Sequence, residues 1–133
     1  MVLVAVTGHY DGKVVIWENL IPKSVLVKAK SSIVEIAMLK SCFAIATADG
    51  IIEFWTLGFE RISKQIDIKT FSFKLMSNNI KNLVVTSNSL YFNTYGGDFI
   101  NLALSFGKDK LTNSLTFNYK VDKTNIRKLE GRT

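Results

Sequence analysis

The sequence predicts an all-β fold built from repeated antiparallel units, and three observations predict it. The segment Thr7-Gly8-His9-Tyr10-Asp11-Gly12-Lys13-Val14-Val15-Ile16-Trp17 has a second copy in Ala46-Thr47-Ala48-Asp49-Gly50-Ile51-Ile52-Glu53-Phe54-Trp55. The markers of the two copies, Asp11 to Asp49 and Trp17 to Trp55, are both 38 positions apart. No stretch has helical periodicity, whereas short apolar runs alternate with Gly, Asn and Asp turns throughout. A fixed period near 40 residues, with a tight turn ahead of an aromatic-ended strand, marks the blades of a β-propeller. Such blades cannot bury their faces alone.

Each element follows from local chemistry. Residues 2–7 are a β-branched run and read as a buried strand. Gly8 to Gly12 form a turn, and the run Val14-Val15-Ile16 within residues 13–17 suggests a strand covered on both faces. Asn19 to Pro22 read as a loop and Ser24 to Val27 as an outer strand. Alternation over residues 33–38 indicates a half-buried strand. Strands at 42–47 and 51–55 flank the Asp49-Gly50 turn, and Ile62 to Ile68 alternate again. Phe71, Phe73 and Leu75 alternate as a strand would before the turn signal Ser77-Asn78-Asn79. Strands at 81–86 and 89–94 form a hairpin about Ser87-Asn88. Tyr95-Gly96-Gly97 turn once more into a strand at 98–104, followed by a loop at Gly107 to Lys110. Leu115, Phe117, Tyr119 and Val121 alternate as a closing outer strand. The units thus span about 2–28, 32–68 and 69–121, making residues 1–121 a partial propeller. Residues 122–133 read as a disordered basic tail.

Size sets a limit. A closed propeller has about four to eight blades, and 133 residues hold roughly three at about 40 residues each. Because the chain opens directly in a strand, a truncated chain or gene model is expected, with the remaining blades in a longer chain. The apolar start, Met1 to Val6, is too short for a signal or a membrane span. The net charge is +6, and seven basic against three acidic residues from Lys108 to Thr133 place much of it near the end. Such a charge attracts acidic partners. The basic residues are scattered with no interleaved aromatics, which argues against nucleic acid.

Catalytic and metal chemistry find no support. His9 is the only histidine and Cys42 the only cysteine. No Ser, Cys or Asp is spaced to form a triad with His9. One Cys and one His at unrelated positions make no metal site, and Cys42 sits in a run that reads as a buried strand. Asp11 and Asp49 are turn residues. Trp17 and Trp55 are inter-blade packing residues. No helix follows Gly96-Gly97, so these glycines are a turn and not a phosphate loop. No cofactor is implied, and the expectation is a non-enzymatic protein.

The repeated markers resemble WD-repeat propellers. The resemblance assigns Asp11 and Asp49 as the turn aspartates, Trp17 and Trp55 as the strand-end tryptophans, and Thr7 and Thr47 as the second-strand hydroxyls. The family's inter-blade histidine is missing, since its place falls near Ala29-Lys30. The third unit has Gly96 and Leu102 where Asp and Trp would stand, and so is a degenerate blade. Ala48 to Trp55, then Phe59-Glu60-Arg61, then Ile80-Lys81-Asn82-Leu83 and Tyr95-Gly96-Gly97-Asp98-Phe99-Ile100 are similar to the echinoderm microtubule-associated protein-like family. That narrower resemblance implies a cytoplasmic, cytoskeletal interaction module with tubulin or microtubules as partner. The family's coiled coil and hydrophobic motif are not in this sequence. The other expectation is a scaffold subunit of a ciliary or regulatory complex without microtubule contact.

In either case the turns before the Trp strands and the connections between blades are expected at one end of the propeller. They carry His9, Tyr10, Lys28, Lys30, Asn78, Asn79 and Tyr95, a mixture of aromatic groups and positive charge suited to a protein interface.

Overall fold

The computed structural model describes residues 4–27, 31–40, 42–58, 61–122 and 127–128. They form three antiparallel sheets. The first has the order β1 (Val4–Gly8), β2 (Lys13–Glu18) and β3 (Ile21–Val27). The second runs β4 (Ile33–Met38), β5 (Cys42–Thr47), β6 (Ile51–Thr56) and β7 (Arg61–Asp67). The third runs β8 (Ile80–Val85), β9 (Ser89–Thr94), β10 (Asp98–Lys108) and β11 (Leu115–Val121), with β12 (Arg127–Lys128) also paired to β10. Each sheet is a meander, and the chain passes from sheet to sheet without returning. This is a partial β-propeller of two to three blades.

The second sheet lies between the other two, and its sequence explains why. Every residue of β5 is buried. Cys42, Ala44 and Ala46 point one way, into a cluster shared with Leu83, Phe92, Ile100 and Phe117 of the third sheet. Phe43 and Ile45 point the other way, onto Val14 and Ile16 of the first sheet. Strand side chains alternate faces, so a strand apolar at every position needs cover on both. In β6, Ile52 and Phe54 serve the first cluster and Trp55 the second. Phe54 and Trp55, consecutive and both buried, face opposite sides as strand alternation dictates, and the β6–β7 ladder shifts register between Glu53 and Trp55. Phe54 meets Phe117 at 4.7 Å and Phe106 at 5.7 Å between ring centroids.

Four expectations are corrected. The Asn19–Pro22 loop is a two-residue turn, Asn19-Leu20, with φ of 51° and 69°; β3 therefore starts at Ile21 and includes Pro22, as an edge strand allows. Phe71, Phe73 and Leu75 form no strand. Asp67 caps a single 3-10 turn at Ile68–Thr70 by accepting from Lys69 N, and the segment then runs irregularly while Leu75 is buried and Phe71 and Phe73 pack against the first cluster. The strand expected to stop at Leu104 continues to Lys108, because β11 pairs with it from Leu102 through Lys108. In the tail expected to be disordered, Arg127 and Lys128 pair with Phe99 and Asp98; the other residues beyond Asp122 lie outside the described ones.

Phe54 is fully buried and touches the aromatic groups of two strands in the next sheet. Phe54→Ala should cost about 3–5 kcal/mol, the usual range for a large core truncation. Val84→Ala, at a residue 55% exposed, should change stability by no more than about 0.5 kcal/mol. Urea unfolding of both variants checks the contrast.

Candidate interaction surface

The three turns that precede β2, β6 and β10 share one construction. Each contains a glycine with positive φ: Gly12 at 88°, Gly50 at 86° and Gly97 at 96°. That region disfavours residues with a Cβ. At Gly50 a Cβ would also stand 3.0 Å from Ile68 and 3.1 Å from the Asn78 carbonyl. Each turn begins with a threonine whose hydroxyl is bonded to a polar side chain nearby. Thr7 Oγ1 lies 3.0 Å from His9 Nε2, Thr47 donates to Asp49, and Thr94 donates to Asp98 at 2.6 Å.

The marker residues divide by unit. Trp17 Nε1 donates to Thr7 Oγ1 at 2.9 Å, so Trp17, Thr7 and His9 form one relay. This relay lies on the opposite face of the first sheet from Val14 and Ile16, since Thr7 pairs with Val15 and Ala5 with Trp17. Trp55 instead packs between the first and second sheets, and its Nε1 donates to Glu53 at 3.1 Å. Asp11 stands outside the relay. It accepts from Lys13 N at 3.2 Å and pairs with the Lys13 ammonium at 3.5 Å. The backbone hydrogen bond, aided by the ammonium charge, holds its carboxyl below the usual 3.8. With the folded value lowered, the Asp11 contribution to stability is present above the ordinary value and is lost as pH falls through the lowered one.

Two residues escaped the sequence reading, Thr94 and Asp98. Thr94 stands three residues before Gly97, as Thr47 stands three before Gly50, so spacing alone would have found it. Asp98 occupies the first position of β10 and reaches back into the turn. Its carboxylate is buried, 3% exposed, and accepts from Met76 N at 2.9 and 3.0 Å, Ser77 N at 3.2 Å and the Thr94 hydroxyl. It therefore does the work of the turn aspartate missing at Gly96, and it clamps the incoming connection as well.

Backbone hydrogen bonds tie the described turns to the connections between the sheets. Ile33 N donates to His9 O and Ala48 N to Ser32 O, tying the first two turns to the connection between them. Ile68 N donates to Gly50 O and Tyr95 N to Asn79 O, tying the second and third turns to the next connection. On these turns and connections Tyr10 is 89% and Tyr95 70% exposed, and His9, Asn78 and Asn79 are exposed as well. The Lys81 ammonium lies 5.8 Å from the centre of the Tyr95 ring, within range of a cation–π attraction. Lys28 and Lys30 lie outside the described residues. Among the described residues, no group of three or more His, Cys, Asp or Glu side chains is gathered to hold a metal ion, and no helix is long and apolar enough to cross a membrane.

No family model and no curated protein matches the chain. Its fold does have solved neighbours. The crystal structure of BBS1N in complex with ARL6DN, soaked with mercury, is 12% identical with a TM-score of 0.57 over 89% of this chain and 39% of that one. The lead-soaked form is 11% identical with a TM-score of 0.56, over 100% of this chain and 47% of that one. Glutaminyl cyclase of Myxococcus xanthus is 10% identical with a TM-score of 0.50, over 91% and 69% respectively. The chain thus spans less than half the length of BBS1N. At these identities the likeness is one of fold. One neighbour is a protein bound to a partner and another an enzyme, so function must be argued from the side chains.

Asp98→Ala removes every acceptor for Met76 N, Ser77 N and Thr94 at once. A hydrogen bond to a charged group contributes about 1.5–3 kcal/mol, so the variant should lose at least about 2 kcal/mol. Thermal or urea unfolding measures the loss; a cost under about 0.5 kcal/mol would deny the clamp.

Proposed function

We propose that the chain is a non-enzymatic protein-interaction module, a piece of a WD-repeat propeller that binds through its turn-bearing end. The observation that carries this reading is the pair of tyrosines. Tyr10 and Tyr95 are exposed on turns whose backbones are pinned by glycine geometry and threonine hydroxyls. Rigid exposed aromatic groups lose little entropy on binding and are enriched at interface hot spots. The BBS1N neighbour, solved with ARL6DN, supports a protein partner. A non-catalytic role draws support from Cys42, whose buried thiol is pushed upward and away from the reactive thiolate.

The nature of the partner follows from charge. The net charge of +6 and the cation beside Tyr95 suit an acidic protein surface. The resemblance to the microtubule-associated family makes tubulin the first partner to test. A scaffold role in a larger complex is the second reading, and the BBS1N–ARL6DN complex is what favours it.

Co-sedimentation with polymerised tubulin tests the first reading directly. The full chain should pellet with microtubules, and Tyr10→Ala combined with Tyr95→Ala should weaken binding by about thirtyfold, as loss of a hot spot near 2 kcal/mol implies. Both side chains are exposed, so the melting temperature should not move. Failure of the wild-type chain to pellet would reject tubulin, and unchanged binding by the double variant would reject this end as the contact surface.

A further inference from the structure

Two strands of the third sheet outrun their neighbours. β9 pairs with β10 only from Phe99 to Ala103, whereas β11 pairs with β10 from Leu102 to Lys108. Past Leu104, whose N donates to Asn88 O, the β10–β11 ladder therefore overhangs the β8–β9 hairpin. The overhang faces the second sheet, because Phe106 and Phe117 both lie against Phe54. Strand alternation puts Lys108 on the same face as Phe106, directly across the ladder from Leu115.

A pocket of 180 Å³ opens where the hairpin ends. Leu39, Lys40 and Cys42 wall it on the second sheet, Phe106 and Leu115 wall it on the third, and Ser87 borders it at the hairpin turn. Cys42 is buried, and Leu39, Phe106 and Leu115 are partly so. The lining is apolar apart from Ser87 and Lys40. Lys40 and Lys108 are exposed, one on each wall, and neither has an ion-pair partner among the described residues. Asp109, next to Lys108, accepts within its own turn from Leu111 N at 2.8 Å and Thr112 N at 3.2 Å.

Volume sets the size of the occupant. Pockets for whole drug-sized ligands measure about 300–1,000 Å³, and an apolar cavity of about 150 Å³ holds one benzene ring. The space between these sheets thus takes one aromatic ring or branched side chain. Charge sets what surrounds that group. Cations on two walls call for acids on both sides of it, a pattern that a protein segment supplies and a small ligand filling the pocket does not.

We propose that this inter-blade pocket is a docking site for an acidic segment of a partner protein. The segment inserts one Phe or Leu side chain and places Asp or Glu beside Lys40 and Lys108. Cys42 stands at the end of β5 remote from Gly50, so the site is separate from the tyrosine-bearing turns and does not rest on them.

The test adds four probes to the full chain: a fluorescein-labelled Asp-Glu-Phe-Asp-Glu peptide, its Phe→Ala form, its form with Lys at every acidic position, and free phenylacetate. The Phe peptide should raise the anisotropy and shift the methyl resonances of Leu39 and Leu115. The Ala form should bind at least about tenfold more weakly, the lower end for burial of one such side chain. The Lys form should not bind. Lys40→Glu combined with Lys108→Glu should weaken the Phe peptide by about tenfold, and the loss should shrink as salt rises. Both lysines are exposed, so the melting temperature should not move. The proposal is overturned if the Phe peptide leaves the Leu39 and Leu115 methyls unmoved, if the Ala form binds equally well, or if the lysine variant keeps full affinity. It is equally overturned if phenylacetate moves those methyls at the same concentration as the peptide, which would make a free small molecule the occupant.

Discussion

The structure depends on a strand that has no solvent face. Once Cys42 to Thr47 are apolar or small at nearly every position, β5 must be covered twice, and the chain provides cover on either side in sequence order. The small side chains Cys42, Ala44 and Ala46 face the third sheet, while the larger Phe43 and Ile45 face the first. The central sheet is thus held in place by its neighbours, and each neighbour has one face that this arrangement leaves uncovered. On the first sheet that face bears Trp17 and Thr7. On the third it bears Tyr91 and Phe99, stacked at 6.1 Å. The residue pattern of β5 thereby explains both the interior and the two ends.

The turns show the same economy. A threonine at the end of the second strand needs a partner for its hydroxyl, and three different residues meet that need: His9, Asp49 and Asp98. The constraint is the hydrogen bond and not the residue type. This is why the third unit, which lacks the aspartate in its turn, still closes tightly. Asp98 compensates from the following strand and simultaneously anchors Met76 and Ser77. The fixed turns then hold Tyr10 and Tyr95 outward on one end, where a partner can reach them.

Much of this was legible in the sequence. The strands at 13–17, 33–38, 42–47, 51–55 and 89–94 were readable because apolar runs end at Gly, Asn or Asp, and burial then agrees with local preference. The turns at Asp11-Gly12 and Asp49-Gly50 followed from the repeat. Other features were hidden for physical reasons. Leu20 at positive φ carries no turn signal, so the Asn19-Leu20 turn read as a longer loop. Phe71, Phe73 and Leu75 mimic strand alternation, yet Asp67 caps a 3-10 turn just before them and no neighbouring strand is available to pair. Asp98 and Phe99 pair with Lys128 and Arg127, a pairing that a two-residue strand in a polar tail does not announce. Asp98 itself was masked by the Gly96-Gly97 pair, which satisfied the turn pattern without revealing where the carboxylate would come from.

Burial of β5 on both faces makes a definite statement about local stability. Amides protected by two packed sheets open only with the whole domain, whereas those of a strand at a free edge open locally. Native-state hydrogen exchange followed by NMR measures both. Cys42 to Thr47 should exchange most slowly of all, at the rate set by global unfolding, and Val4 to Gly8 should exchange much faster. Equal protection in β1 and β5, or rapid exchange in β5, would contradict the sandwiched central sheet on which the rest of the structure depends.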